Sequence, residues 1–441
     1  GFGGILADDM GLGKTLQVIT LFSEVNERKL PNLVICPASL ILNWQDEIHK
    51  FAPHLTCVAV YGSAKKRKEI INEYEKYDIL ITSYDYIRRD IDLYEKLAFH
   101  YVALDEAQYI KNPKTKGAQA VKQLKGNHRL ALTGTPIENS LAEIWSIFDF
   151  LMPGYLYNYG YFQKHFETPI VKEKNQQKQN ELKKLISPFI LRRTKKEVLT
   201  ELPDKIEQTI PIEFNNEENK LYLANLAKVN ADLQEKLEME KSDRMAILAM
   251  LTRLRQICCE PRVIYDNIKT PSSKIENCME LINNLKENNK KVLLFSSFTG
   301  VLELIKEQLE KEKISYYVLT GSTDKDTRRQ LVKQFQEDDT TVFLISLKSG
   351  GTGLNLTAAE AVIHFDPWWN VSAQNQATDR AHRFGQEKVV QVYKLIMKNS
   401  IEEKILKLQE MKKDLSDTFV EGNDGTITSM STEDLMNLFA V

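Results

Sequence analysis

The stretch Leu6-Ala7-Asp8-Asp9-Met10-Gly11-Leu12-Gly13-Lys14-Thr15 decides the reading of the chain. The apolar run Gly4-Ile5-Leu6-Ala7 leads into it and predicts a buried strand, while Leu16, Ile19 and Leu21 beyond it predict a helix. Strand, glycine-rich turn and helix together make a phosphate cradle. The glycines let backbone N–H groups close on phosphate oxygens, and the helix N-terminus carries partial positive charge. Lys14 is expected to neutralise the outer phosphates and Thr15 to bind Mg²⁺. The pattern G-x-x-x-x-G-K-[ST] is incomplete, because Asp8 stands at its first glycine position. The competing reading is an ordinary strand-to-helix turn, against which Gly-x-Gly-Lys-Thr after a strand argues.

At 441 residues the chain exceeds one hydrophobic core, so two or more domains are expected. Hydrophobic content of 42% and charged content of 27% fit a soluble globular protein. With 59 basic against 61 acidic residues, bulk charge argues neither for nor against nucleic acid; any such binding must come from a local groove. The cysteines Cys36, Cys57, Cys258, Cys259 and Cys278 are odd in number, scattered and without a C-x-x-C, as reduced thiols of a cytosolic-type compartment would be. The histidines form no ligand-spaced cluster, which argues against a structural zinc. No apolar run approaches the ~18 residues of a membrane span and no signal peptide is evident, so no membrane partner is expected. The chain starts almost inside the phosphate loop and reads as part of a longer protein.

Beyond the loop, short apolar runs at 33–36, 57–61, 79–82, 101–104 and 130–132 alternate with helical patterns. That rhythm predicts a parallel sheet with helices on both faces, whose ligands bind past the strand C-terminal ends. There stands Asp105-Glu106-Ala107-Gln108. Paired with the loop, Asp105 would take the metal, and Glu106 would orient or deprotonate the attacking water; two surface acids after a strand are the alternative. Leu132-Thr133-Gly134-Thr135-Pro136 could sense the phosphates or simply end a strand. Pro37-Ala38-Ser39-Leu40 with Asn43-Trp44, and Thr82-Ser83-Tyr84, offer hydroxyls and N–H groups suited to phosphate-backbone contacts. Trp44 fits a core place as well as a stacking one. Lys65-Lys66-Arg67-Lys68 reads as a solvated helix face.

From residue 151 to about 270 the strand rhythm is expected to stop, giving way to helices without identifiable chemistry. Strands return at 292–295, 316–319, 342–345, 361–365 and 390–395, predicting a second parallel sheet. It carries no second phosphate loop; Ser346-Leu347-Lys348-Ser349-Gly350-Gly351-Thr352-Gly353-Leu354-Asn355 lacks the Gly-Lys-[ST] ending and reads as a backbone-contact loop. In Gln374 to Gln386, Arg380 and Arg383 are three apart, so on a helix they share a face and could clamp a γ-phosphate. Salt bridges to neighbours such as Asp379 are the alternative. The boundaries expected are 1–152 for the first lobe, 153–270 for a helical insertion, 271–400 for the second lobe, and 401–441 for a brace helix and tail. In the last, Ile401, Ile405, Leu408, Met411 and Leu415 form an apolar stripe.

Taken with Leu254-Arg255-Gln256-Ile257-Cys258 and Phe365-Asp366-Pro367-Trp368-Trp369-Asn370, these motifs closely resemble those of the SWI/SNF-type ATPases of helicase superfamily two, in a compact microbial branch. The resemblance spans nearly the whole chain. It implies two RecA-like α/β lobes that close on ATP and Mg²⁺ and step along double-stranded DNA without separating its strands, remodelling DNA-bound protein complexes. A monomer is implied, in the cytoplasm and nucleoid of a microbe or the nucleus of a eukaryote. Asp8, Met10, Gly11, Leu12, Gly13, Lys14, Thr15 and Gly351 would then contact ATP, with Thr15 and Asp105 on the metal. Lys14, Asp105, Glu106 and Gln108 would serve hydrolysis, with Gln108 coupling the lobes and Arg380 and Arg383 as fingers. Pro37, Ser39, Ser83, Ser296, Gly321, Ser322, Lys348 and Trp369 would touch DNA. The upstream glutamine motif that recognises adenine in relatives is missing. A strand-separating helicase and a non-hydrolysing clamp are the alternatives.

Overall fold

The computed structural model describes residues 2–24, 30–134, 141–199, 201, 203–238, 244–350, 354–368, 371–383, 385–407 and 409. They divide into two units, residues 1–200 and residues 201 onward. Every apolar run identified in the sequence becomes a strand. In the first unit these are β1 (Gly4–Leu6), β2 (Asn32–Cys36), β3 (Cys57–Ala59), β4 (Ile79–Ser83), β5 (Ala98–Asp105) and β6 (Lys125–Leu132), joined by β7 (Ile190–Leu191). The order is β3-β4-β2-β5-β6-β1-β7, with every neighbouring pair parallel. Leu33 and Ile35 enter the apolar core on one face of the sheet, Val34 and Cys36 the core on the other. With both faces covered, an unbroken apolar run is what the strand requires.

The second unit holds β8 (Lys205–Ile212), β9 (Val292–Ser296), β10 (Tyr316–Leu319), β11 (Val342–Ser346), β12 (Ala361–His364) and β13 (Val390–Met397), ordered β10-β11-β9-β12-β13-β8 and again parallel throughout. Val292 and Leu294 face one core, Leu293 and Phe295 the other.

The strand rhythm does not stop at residue 151. Ile190–Leu191 extends the first sheet beside β1, and Lys205–Ile212 forms an edge of the second beside β13. Nor are the middle helices a separate body: Leu251, Leu254, Ile257 and Cys258 of the helix Arg244–Cys259 sit in the second unit's core. The start of the expected brace stripe packs there too, with Ile401 and Ile405 buried; Leu408, Met411 and Leu415 lie outside the described residues. A buried ion pair fixes this corner. Lys274 Nζ lies 2.7 Å from both carboxylate oxygens of Glu402, neither side chain is exposed, and the Met397 N–H donates to Glu402 Oε2 at 2.9 Å.

One surface reading changes. Arg67, expected on a solvated helix face, is buried; it donates to the Asp90 carboxylate from Nε at 2.6 Å and from Nη2 at 2.9 Å, and to the Gly62 carbonyl.

Candidate nucleotide site

The sheet order sets β5, β6 and β1 side by side, with Leu132 in register with both Asp105 and Leu6. Their C-terminal ends therefore deliver Asp105-Glu106, Thr133 and the phosphate loop to one place. The loop turns on Gly11 (φ 87°) and Gly13 (φ 75°), conformations that side-chain-bearing residues rarely adopt. The helix Lys14–Glu24 follows at once, so Lys14 and Thr15 stand in its first turn. Lys14 Nζ is held by the loop itself, donating to the Asp8 carbonyl at 2.6 Å and the Asp9 carbonyl at 3.3 Å. Burial pushes its ammonium below the ordinary value, against the opposing pull of Glu106, Asp105, Asp8 and Asp9.

Asp8 has a use that the sequence did not disclose. Its carboxylate is fully buried and accepts from the Arg193 backbone N–H at 3.0 Å, from Arg193 Nε at 3.1 Å, from Arg193 Nη2 at 2.5 Å and from Gln17 Nε2 at 3.1 Å. The backbone adds Ala7 N–H to the Leu191 carbonyl and Asp9 N–H to the Arg193 carbonyl, and the Lys195 N–H donates to the Asp9 carboxylate. The Asp8 side chain thus fastens the loop to the residues after β7. Arg193 and Gln17 were missed because they act through Asp8, with no motif of their own.

Asp105 is the last residue of β5, and Glu106 follows in the left-handed region at φ 53°. That turn brings the Glu106 N–H onto Asp105 Oδ1 at 2.9 Å. Trp44 donates from Nε1 to Asp105 Oδ2 at 2.8 Å, and the Tyr84 hydroxyl donates to the Asp105 carbonyl at 2.8 Å. Burial and the neighbouring Glu106 charge push the Asp105 carboxyl up to about 7, while Trp44 and Lys14 pull it down. The Asp105 carboxylate, half-buried at the end of β5, and the Thr15 hydroxyl, in the first turn of the helix after the loop, are oxygen donors of the kind that suits Mg²⁺. That ion takes one or two protein ligands and completes its shell with phosphates and water. Glu106 is 7% exposed; Gln108 donates from Nε2 to Glu106 Oε2 at 2.7 Å and accepts from the Thr133 hydroxyl at 3.1 Å. Gln108 is therefore the link between the carboxylate and the end of β6. Gly134 lies against Met10: a Cβ built on it would meet Met10 Cγ at 3.4 Å. Thr135 and Pro136 lie outside the described residues.

The residues expected on DNA are mixed in placement. Pro37 is buried, its carbonyl accepting from the Leu40 N–H, and Ser39 beside it is half-buried. Ser83 is 2% exposed and caps the helix Tyr84–Tyr94 by accepting from the Tyr86 N–H. In the second unit Ser296 is equally hidden, donating to Asp366 Oδ1 at 2.7 Å and accepting from the Phe298 N–H. Both hydroxyls are buried at strand ends and bonded within the chain. Gly321 and Ser322 are exposed on the loop after β10. Gly351 and Trp369, and the side chain of Lys348, lie outside the described residues.

Arg380 and Arg383 are not on a helix. The helix Val371–Thr378 ends before them, and tight turns follow, with Arg380 N–H to the Ala377 carbonyl, Ala381 N–H to the Thr378 carbonyl and Gln386 N–H to the Arg383 carbonyl. Gln386 Nε2 lies 3.0 Å from the carbonyls of Thr357, Ala359 and Ala381, and His382 Nε2 lies 2.8 Å from the Pro203 carbonyl. These contacts hold the segment as turns, and Gly385 at φ 91° makes a further turn beyond it. Arg380 is buried, and Arg383 is half-buried with Nη1 3.4 Å from the Leu354 carbonyl. The shared helix face inferred from their spacing is replaced by a shared turn.

Two family models cover this chain, the SNF2-related domain over residues 1–263 and the helicase conserved C-terminal domain over residues 273–385. An uncharacterized ATP-dependent helicase of Mycoplasma pneumoniae is 44% identical over 445 residues, covering 99% of this chain and 42% of that protein. The putative ATP-dependent helicase/translocase YwqA of Bacillus subtilis is 41% identical over 456 residues, covering 100% and 49%. Among solved structures, the Sulfolobus solfataricus SWI2/SNF2 ATPase core in complex with dsDNA is 40% identical, covering 99% of this chain and 92% of that one at a TM-score of 0.47. The chain spans less than half the length of the two curated relatives just described. The phosphate loop, the Asp105-Glu106 pair and Thr133 all fall within the first matched region, and the arginine turn within the second. The chain belongs to the SNF2-related family of helicase-like ATPases.

Proposed function

We propose that this chain is a DNA-stimulated ATPase that moves along double-stranded DNA without separating its strands, and displaces or remodels protein bound there. The observation that carries the ATPase part is the convergence at the ends of β1, β5 and β6 of a loop lysine, the half-buried Asp105 carboxylate and a second carboxylate held by Gln108. Lys14 would leave the loop carbonyls for the outer phosphates. Mg²⁺, when bound, would shield the phosphate charge. Thr15 and Asp105 would hold the metal, and Glu106 would orient or deprotonate the attacking water. Gln108, bonded to both Glu106 and Thr133, would report the state of the water site to the end of β6. Arg380 and Arg383 would meet the phosphate only when the units close on it, as a pair of fingers. Each cycle of closing and opening would then shift one unit along the backbone. The printed name of the Bacillus subtilis relative, helicase/translocase, describes that protein and enters here as part of the proposal. We place the chain on DNA as a monomer. Among the described residues no helix is long and apolar enough to cross a membrane.

The test is ATP turnover with no nucleic acid, with duplex DNA, with single-stranded DNA and with RNA, all at one stated salt. Duplex should stimulate most, and triplex displacement should accompany it. Greatest stimulation by single strands together with release of a labelled strand would replace translocation by unwinding. DNA and ATP binding with no turnover in any arm would leave a clamp.

A further inference from the structure

Trp44 and Tyr84 stand on two different elements and meet on one residue. Trp44 lies in the helix Ile41–Phe51, which follows β2 through Pro37-Ala38-Ser39-Leu40; Tyr84 opens the helix Tyr84–Tyr94 straight after Ser83 at the end of β4. Both are nearly buried, at 2% and 8% exposure. Trp44 Nε1 donates to Asp105 Oδ2 at 2.8 Å, and the Tyr84 hydroxyl donates to the Asp105 carbonyl at 2.8 Å. Tyr84 also stacks flat on Tyr109, centroids 5.1 Å apart and planes 9° apart, and Tyr109 is 53% exposed. An indole N–H can only donate. Trp44 therefore fixes one Asp105 oxygen while the Glu106 N–H fixes the other, and the carboxylate has one orientation.

We propose that Trp44 and Tyr84 are positioning residues that aim the Asp105 carboxylate at its metal and tie that aim to the loops at the ends of β2 and β4. The inference rests on the functional reading above, because those loops carry the residues read as backbone contacts. A displacement of either loop by a polyanion moves the helix behind it. The rigid aromatic rings carry that movement to Asp105 without an intervening flexible side chain. A partner that orients a metal-binding carboxylate is worth about 10–100-fold in metal affinity or activity when removed.

The experiment uses the 441-residue chain with Trp44→Phe and Tyr84→Phe, each of which removes one donor and keeps a ring in place. Thermal melting checks that both variants fold. The half-saturating Mg²⁺ concentration for ATP turnover without DNA should rise about 10-fold or more in each. The ratio of duplex-stimulated to unstimulated turnover should fall in each. A third readout needs no turnover: Trp44 is one of four tryptophans, and in a Trp369→Phe background, which takes away the tryptophan read as a DNA contact, duplex DNA added to nucleotide-free protein should change the intrinsic emission. Trp44→Phe should remove that change and Trp145→Phe should keep it. Folded variants that retain the wild-type Mg²⁺ dependence or the wild-type stimulation ratio overturn the proposal, as does an emission change that is absent or survives Trp44→Phe. Failure of the functional reading looks different: the wild type itself is then not stimulated by duplex DNA.

Discussion

Asp8 shows how far a single residue can depart from a motif and still serve it. Burial alone would raise its carboxyl, but hydrogen bonds from Arg193 and Gln17 and the guanidinium charge hold it below the ordinary 3.8. A carboxylate with a depressed folded value contributes stability above its unfolded value and loses it as the pH falls through the folded one. Arg193→Ala should therefore cost about 1 kcal/mol at pH 7, the low end for a buried hydrogen-bonded carboxylate because the arginine side chain is 40% exposed. The gap from wild type, read as the urea midpoint, should be widest near neutrality and narrow below about pH 4. An equal gap at pH 7 and pH 3.5 would assign the loss to packing alone. Glu106 gives the complementary case. Glu106→Gln keeps an oxygen for the Gln108 amide but cannot take a proton from water, so turnover should be abolished while ATP and DNA still bind. Unchanged DNA-stimulated turnover would remove Glu106 from the chemistry.

At the scale of elements, legibility follows burial. Strands covered on both faces, such as Leu33-Val34-Ile35-Cys36 and Val292-Leu293-Leu294-Phe295, must be apolar at every position, and they stand out in the sequence. The edges do not. Lys205–Ile212 is half polar, mostly exposed and carries Pro211, which a central strand would reject, and Ile190–Leu191 is two residues long. The phosphate loop and the Asp105-Glu106 pair were legible because they are contiguous. The Trp44, Tyr84, Gln17 and Arg193 contacts join residues as many as 185 positions apart and leave no local pattern. The arginine pair misled because spacing presumes a helix, and the helix ends at Thr378, before both. Arg255 is a further element-scale tie. Its Nη2 reaches Asp366 Oδ2 at 2.9 Å, the Pro367 carbonyl at 2.9 Å and Ser297 Oγ at 3.2 Å, and its guanidinium lies between the rings of Phe298 and Trp368 at 5.1 and 5.6 Å. It thus fastens the ends of β9 and β12 to the helix Arg244–Cys259. Arg255→Met would strand the fully buried Asp366 carboxylate and should cost about 3–5 kcal/mol, read as the shift in denaturant midpoint. A loss below about 1 kcal/mol would mean that Ser296 and the Ser297 N–H satisfy Asp366 without it.

For the whole molecule, the division of labour between the units is the point at issue. The first unit carries the loop of Lys14 together with Asp105 and Glu106, to which the proposal assigns phosphate, metal and water, and the second carries the arginine turn. If the arginines contribute only when the units close, their energy belongs to the transition state and not to the resting complex. Arg383→Ala should then lower kcat by about 10³-fold or more, the range of an arginine finger, while the affinity for a non-hydrolysable ATP analogue changes little. The protein must remain folded for this to be read, and the half-buried place of Arg383 in a turn anchored by Gln386 makes that the expected outcome. Arg380 is the harder variant, since it is 5% exposed and its carbonyl accepts from the Leu356 N–H, so its loss mixes structure with chemistry. The split between kcat and binding at Arg383 is therefore the cleaner measurement. Equal losses in kcat and analogue affinity would place that arginine on the nucleotide before closure, and the proposed cycle would then have to draw its switch from Gln108 and Thr133 instead.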